Sequence, residues 1–218
     1  MIATIHQPDF IPWIGFFDKI KKSDAYVILD DVQFSRTGWT HRDKFSSIEN
    51  KLHWLTVPLK KKGNYFSKIS EIEINYQNDW RDKHLTFLNY NFKNEYNFKK
   101  IISLIENIYS KKYEKLIELN VSLIKKILFE LNIEREIFYS SDLNIQSNGS
   151  KKIIEILEMI KCKEYITGHP SKNYLKLDDF KKNNIKIIWY NSKDLNINDK
   201  LLNLSVLNYM FKNKVYDF

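Results

Sequence analysis

The chain has 218 residues, 43% of them apolar, with five glycines and four prolines, which is enough to build a core and too ordered a composition for a disordered chain. Its formal net charge of +8 points to an anionic partner (nucleic acid, a phosphorylated ligand or anionic lipid), or to a lysine- and asparagine-rich background whose cations coat solvated helix faces. No apolar run reaches a membrane span, the first residues lack a signal-peptide layout, and the single cysteine, Cys162, excludes an internal disulfide and a cysteine-built metal cluster, so a cytoplasmic protein is expected.

In chain order, IATIH reads as a buried β-branched strand, PWIGFFDKIKKSD as a short helix with Ile14, Phe17 and Ile20 near one face, and AYVILD as a second buried strand ending at Asp30 and Asp31. WLTVPL and ISEIEIN are further strand candidates around the basic turn KKKGN. From Trp80 to about Leu131 the apolar spacing turns helical and predicts roughly three amphipathic helices. REIFYSS reads as a strand, SKKIIEILEMIKC as a helix capped by Ser150, EYITG and IKIIWY as strands around the loop GHPSKNYL, and LLNLSVLNYMF as a closing helix. Strand, loop, helix and strand in succession make a parallel sheet with its functional loops at the carboxyl ends. The expectation is a single α/β domain over 1–218, mostly parallel, with flanking helices and a helical insertion at about 80–132.

Three stretches concentrate chemistry. In the first, His6 and Gln7 follow strand one, where a histidine is a base, a phosphate contact or a residue tied into the sheet edge. Pro8 and Pro12 stiffen the loop, and Trp13 either stacks on a ligand ring or fills core. Asp30 and Asp31 offer acid–base chemistry if both face one cavity, or a turn cap if one does not. Gln33, Trp39, His41, Arg42 and Lys44 follow closely; arginine and lysine there suit a carboxylate or phosphate. The layout is expected to bring His6, Trp13, Asp30, Asp31 and Arg42 to one end of the sheet. The second stretch, WRDKHL, puts Trp80 and His84 on one helical face, as packing with a polar tip or as a contact to substrate. The third, TGHPSKNYL, supplies Thr167, Gly168, Ser171, Lys172 and Tyr174 as a fair anion-binding loop, with His169 either a functional group or an exposed loop histidine. No P-loop, GxGxxG, HExxH or GxSxG is present to name a reaction.

HQPDFIPWIGFFDKI followed by SDAYVILDDVQF, with WLTVPL, WRDKHL, EYITGHPSKNYL and LSVLNYMF in order, resembles the WbqC-like family over nearly the whole chain. The positions that match the family's motif residues are His6, Gln7, Pro8, Trp13, Gly15, Asp30, Asp31, Gln33, Arg42, Thr56, Pro58, His84, Gly168 and Tyr174. The chain departs from the pattern at His41, where asparagine is usual, and around NSKDL, which lacks a His-Pro-Tyr-like run. The resemblance implies a bacterial cytoplasmic protein tied to surface polysaccharide synthesis, such as O-antigen of lipopolysaccharide, with a sugar-modifying transferase as the usual inference. The order Pro, Gly, helix, Asp, apolar strand, Gln-Phe is also similar to the opening of pantothenate synthetase and related nucleotidyltransferase-fold enzymes. Their second phosphate-binding histidine is missing where Asp18 and Lys19 stand, so the likeness speaks for fold only.

The reading that results is an acyl or aminoacyl transferase acting on the amine of a nucleotide-linked amino sugar. His6, Asp30 and Asp31 are the catalytic candidates. Gln7, Trp13, Gln33, Trp39, Arg42, Lys44, His84, Gly168, His169 and Tyr174 are the substrate-binding candidates. The partners expected are the sugar nucleotide and an acyl donor or charged tRNA, with no DNA; the sequence names no cofactor. The alternatives are a non-catalytic sugar-nucleotide or glycan-binding accessory protein, and a tRNA-binding protein.

Overall fold

The β-branched segment at the amino terminus forms a buried strand, β1 (Ile2–His6), in a computed structural model that describes residues 1–60, 66–195, 197–214 and 216. In chain order there follow α1 (Ile14–Lys21), β2 (Ala25–Ile28), β3 (Arg42–Ser46), β4 (Leu52–Thr56), α2 (Trp80–Phe92), α3 (Phe98–Tyr109) and α4 (Leu116–Glu130). Then come β5 (Glu136–Tyr139), α5 (Gly149–Met159), β6 (Glu164–Gly168), α6 (Leu177–Lys182), β7 (Lys186–Tyr190) and α7 (Val206–Lys212). Contacts divide the chain into two units: residues 1–7, 15–31 and 133–196 in the first, and 8–14, 32–132 and 197–218 in the second.

The first unit is a five-stranded sheet in the order β5-β2-β1-β6-β7, every pairing parallel. Parallel strands need crossovers, and helices supply them, which is why the strands read as continuous apolar runs. Side chains alternate across the sheet. Ala3, Ile5, Ala25, Val27 and Tyr165 share one face with Ile153, Ile156 and Leu157 of α5 and Phe180 of α6. On the other face the Phe16 ring of α1 meets Tyr26 at 5.5 Å and His6 at 5.1 Å, both edge to face. The expected mixed α/β architecture with a parallel sheet and flanking helices is therefore observed.

The second unit holds the antiparallel hairpin β3–β4 and the helices α2, α3, α4 and α7. The helical spacing of Ile101, Ile105, Ile108, Leu116, Ile124 and Ile127 corresponds to fully or nearly buried positions on α3 and α4. Phe92 of α2 stacks on Phe211 of α7 with ring centroids 4.5 Å apart.

Two local expectations need correction. ISEIEIN is not a strand: Ile69–Glu71 is a single tight 3-10 turn, and Glu73 and Ile74 make only isolated bridges. Alternation alone does not make a strand when no neighbour offers a continuous ladder. Ser150 is not the cap of α5; Asn148 occupies that position, and the Ser150 hydroxyl accepts the Lys176 N–H at 2.8 Å. Strand β3 carries no apolar alternation of its own, since Asp43, a carboxylate, sits at an inward position of RDKFS. Most of KKKGN, residues 61–64, lies outside the described residues.

Candidate functional site

In an open parallel sheet, ligands bind outside the carboxyl ends of the strands where the strand order reverses. Here that point lies between β1 and β6, since the chain steps outward to β2 and β5 on one side and to β6 and β7 on the other. The β1–β6 ladder ends at Thr4↔Ile166, two residues short of both strand ends, while β1 stays paired to β2 through His6↔Ile28. His6 and Gln7 therefore leave one lip of the crevice and Gly168 and His169 the other. His6 is half-buried, and its Nδ1 lies 3.0 Å from the Gln7 carbonyl oxygen, so this nitrogen carries the proton and Nε2 the lone pair. Burial, then the buried Lys19 ammonium, lowers its pKa to about 3 against the opposing pull of the Gln7 carbonyl.

The paired aspartates converge on the turn after β5. Asp30 Oδ1 accepts the Ser141 N–H at 3.0 Å, and its Oδ2 accepts the Ser141 hydroxyl at 2.7 Å. The Ser140 hydroxyl accepts the Asp30 N–H at 3.1 Å and offers its single proton to Asp30 Oδ1 at 3.0 Å or to Asp31 Oδ1 at 2.5 Å. Asp30 is thus a turn cap that ties β2 to β5. Asp31 Oδ2 faces the Lys152 ammonium at 2.6 Å, with side-chain exposures of 10% and 6%, and Lys152 also donates to the Ile145 carbonyl at 3.1 Å. Burial pushes the Asp31 carboxyl up, but the hydrogen bonds from Lys152 and Ser140 more than offset it, leaving it below the ordinary range.

After β6, hydroxyls line up: Thr167 to Ser171 at 2.8 Å and Ser171 to Tyr174 at 2.9 Å. Tyr174 is exposed, as is His169, whose ring stacks on Trp189 of β7 at 6.0 Å; Lys172 Nζ lies 4.9 Å from the Trp189 centroid. At Gly168 an added Cβ would meet only Pro170 Cδ at 3.5 Å, an ordinary contact, so this glycine is not demanded by space.

In the second unit, β3 pairs Lys44 with Trp54 and Arg42 with Thr56, so Arg42, Lys44, Leu52 and Trp54 share one face of the hairpin while Asp43, Phe45 and Leu55 are buried on the other. Trp39 and Trp54 are 41% and 42% exposed, with centroids 5.2 Å apart and planes tilted by 35°. The Arg42 guanidinium lies 4.4 Å over Trp54 and is held by the Thr37 and Gly38 carbonyls at 3.1 and 3.4 Å. Lys44 Nζ is 5.2 Å from Trp39 and 5.1 Å from Trp54. In the adjoining turn a Cβ at Gly38 would lie 3.2 Å from the Ser35 carbonyl oxygen, closer than an ordinary contact.

The same unit buries a polar group around Asp9, Thr40, Asp43 and Asn120. The Asn120 amide donates to the Pro8 and Thr40 carbonyls at 2.7 and 2.6 Å, and the Thr40 hydroxyl reaches Asp9 at 3.5 Å. Burial, with Asp9 nearby, drives the Asp43 carboxyl well above the usual range despite the Lys44 N–H bonded to it. Ile11 holds φ 44°, a left-handed conformation that strains a β-branched residue and is sustained by complete burial.

The sequence-level candidates therefore divide. His6, Gln7, Asp30, Asp31, Gly168, His169 and Tyr174 belong to the sheet unit. Trp13 and Arg42, expected at the sheet's end, belong to the other unit with Gln33, Trp39, Lys44 and His84. The chain passes from the sheet unit to the other unit after Gln7 and again after Asp31. Trp13 bridges to Ser205 and Gln33 to Lys68. His84 is a packing residue: its Nδ1 meets the Tyr109 hydroxyl at 3.1 Å, its Nε2 the Thr56 carbonyl at 3.2 Å, and its ring lies against Trp80. Burial lowers its pKa to about 4, with the Thr56 carbonyl opposing. Sequence reasoning missed Lys19, Lys152 and Trp54. Only Trp54 carried a signal, standing opposite Lys44 once RDKFS and LHWLT are paired as strands. Among the described residues no group of three or more His, Cys, Asp or Glu side chains is placed to hold a metal ion, and no helix is long and apolar enough to cross a membrane.

Comparison with known proteins agrees over almost the full length. The model of the WbqC-like protein family matches residues 7–215. An uncharacterized protein of Mycobacterium tuberculosis, Rv1507c, is 28% identical over 189 residues, covering 86% of this chain and 81% of its own. No solved structure matches.

Proposed function

The chain belongs to the WbqC-like protein family, and from that premise we propose that it is a transferase in bacterial surface polysaccharide synthesis, moving an acyl or aminoacyl group onto the amine of a nucleotide-linked sugar. The observation that carries this reading is the reversal of strand order between β1 and β6, with His6 and Gln7 on one lip of the crevice and Gly168 and His169 on the other. Open parallel sheets bind nucleotides at such a point. Exposed Lys172, His169 and Tyr174, with Thr167 and Ser171 behind, suit a diphosphate and a sugar hydroxyl.

In the reaction the amine nitrogen attacks the acyl carbonyl, a C–N bond forms, and the carbonyl's bond to the carrier breaks. The amine proton ends on the carrier's leaving atom. A neutral imidazole is the form that accepts this proton, and burial favours that form of His6. Its depressed pKa makes it a weak base, so its contribution belongs at the low end of the roughly 10²–10⁴-fold range for general bases.

One observation favours a second reading, a non-catalytic sugar-nucleotide-binding protein: the oxygens of Asp30 and Asp31 are engaged by Ser140, Ser141 and Lys152, a structural use of both carboxylates. Thermal-shift screening against dTDP- and UDP-amino sugars tests the ligand, and mass spectrometry of the sugar nucleotide tests amide formation. Binding with no donor ever consumed decides for the second reading. Loss of turnover in His6→Gln with sugar-nucleotide affinity retained supports the first; undiminished turnover removes His6 as the base. Tight tRNA binding that weakens steeply with salt would displace both.

A further inference from the structure

The hairpin face of the second unit presents cations without counter-ions. Among the described residues, neither Arg42 nor Lys44 has a carboxylate within ion-pair distance, although the chain forms such pairs at many other lysines. Both cations are positioned rather than loose. Two carbonyls hold the guanidinium 4.4 Å from the Trp54 ring, and the ammonium sits about equally far from both indoles. A surface that orders two positive charges on two half-exposed aromatic rings is complementary to a ligand with negative charge and a planar ring. The indole faces and the guanidinium plane each stack with a heteroaromatic base. Preorganisation lowers the entropy cost of binding such a ligand.

We infer that this face, Arg42, Lys44, Trp39 and Trp54, binds a small phosphorylated nucleotide that serves as the acyl carrier, with its phosphates on the two cations and its base on the indoles. The assignment of a carrier, rather than of any nucleotide, rests on the transferase reading above. Leu52 favours a carrier with an apolar arm over a nucleic-acid strand: it is 64% exposed and lies two residues from Trp54 on the same face, where a strand of phosphates and bases has no use for it. A thioester carrier such as an acyl-coenzyme A has the required parts in the required order of chemistry: base, phosphates, arm. In the transfer its C–S bond breaks, and the thiol leaves with the proton released by the amine.

The test is calorimetric titration of the whole chain with coenzyme A, with inorganic pyrophosphate and with mixed tRNA. Coenzyme A is expected to bind more tightly than pyrophosphate. The pair Arg42→Gln with Lys44→Gln weakens both at least tenfold. Trp54→Ala weakens coenzyme A about tenfold and pyrophosphate less than threefold, and Trp54→Phe restores most of the loss because a stacking face returns. Circular dichroism checks that each variant is folded. Coenzyme A binding no tighter than pyrophosphate, or affinity untouched by these substitutions, overturns the assignment. So does tRNA binding lost in the same variants with a steep salt dependence. Sugar-nucleotide binding is measured separately in His169→Ala and Trp54→Ala. If sugar nucleotides fail everywhere while coenzyme A still depends on Trp54, the transferase reading falls and the hairpin site stands.

Discussion

Replacing Lys152 with methionine keeps nearly the same side-chain volume and removes the cation that faces Asp31. The two charged groups are 2.6 Å apart with side-chain exposures of 6% and 10%, so little water can take over the lost contact. Breaking a buried pair from one side leaves an uncompensated charge and costs about 3–5 kcal/mol. The Ile145 carbonyl also loses its donor. For a chain of this size each kcal/mol moves the midpoint by about 2–4 °C, so the expected fall is on the order of 6–20 °C. Circular dichroism melts at neutral pH measure it. The double variant Lys152→Met with Asp31→Leu should recover most of the loss, because removing both charges is close to neutral where removing one is not. The sign of the pH dependence follows from Asp31, whose carboxyl lies below its unfolded value. The stability it contributes is present above the unfolded pKa of about 3.9 and is lost as pH falls through the folded one. The deficit of Lys152→Met should therefore shrink in acid, where Asp31 protonates in the variant. A melt within about 2 °C of the parent, or a double variant as unstable as the single, would refute the argument.

Acid should also destabilise the whole chain through its histidines. His6 is held neutral to about pH 3, and His41 and His84 to about pH 4, chiefly by burial, with Lys19 acting on His6 and Arg42 and Arg36 on His41. The unfolded chain takes up protons near pH 6.5 while the folded one does not, so stability is present above that value and is lost as pH falls toward 4. Asp43, whose carboxyl burial pushes well above its usual range, opposes this trend; urea midpoints that rise between pH 7 and 5 would contradict the dominance of the histidines. Asn120→Leu should cost about 2–4 kcal/mol, since the buried Pro8 and Thr40 carbonyls both lose their donor; a change below 1 kcal/mol in denaturant melts would show that the amide is not what holds the two backbones. Gly168→Ala should leave the melting point within about 2 °C, because its Cβ meets one atom at van der Waals distance; a larger fall would mean that the crevice lip needs glycine for conformational reasons.

The parallel sheet was legible because both faces of its strands are covered, so IATIH, AYVIL and EYITG read as short β-branched, largely apolar runs whatever their surroundings. The helices of 80–132 were legible for a similar reason: one apolar stripe per helix records burial at a spacing of 3.6 residues. His6, Gln7, Gly168 and His169 could be placed at strand ends from local pattern alone, and strand ends are where an open sheet binds ligands. Their meeting on the two lips of one crevice could not, because it depends on β6 rather than β5 lying beside β1, and strand order is a property of pairing between segments some 160 residues apart. The aspartates show the same limit. Two carboxylates after a strand are compatible with catalysis or with a cap until Ser140, Ser141 and Lys152 arrive from distant segments and take their oxygens. Trp54 became part of a surface only when the β3–β4 register set it opposite Lys44. Local sequence determined which residues are strand, helix and strand end, because those choices follow from burial of neighbours along the chain. Tertiary structure alone decided which polar groups satisfy one another and which remain open to a ligand, because hydrogen bonds and ion pairs are set by distances between segments.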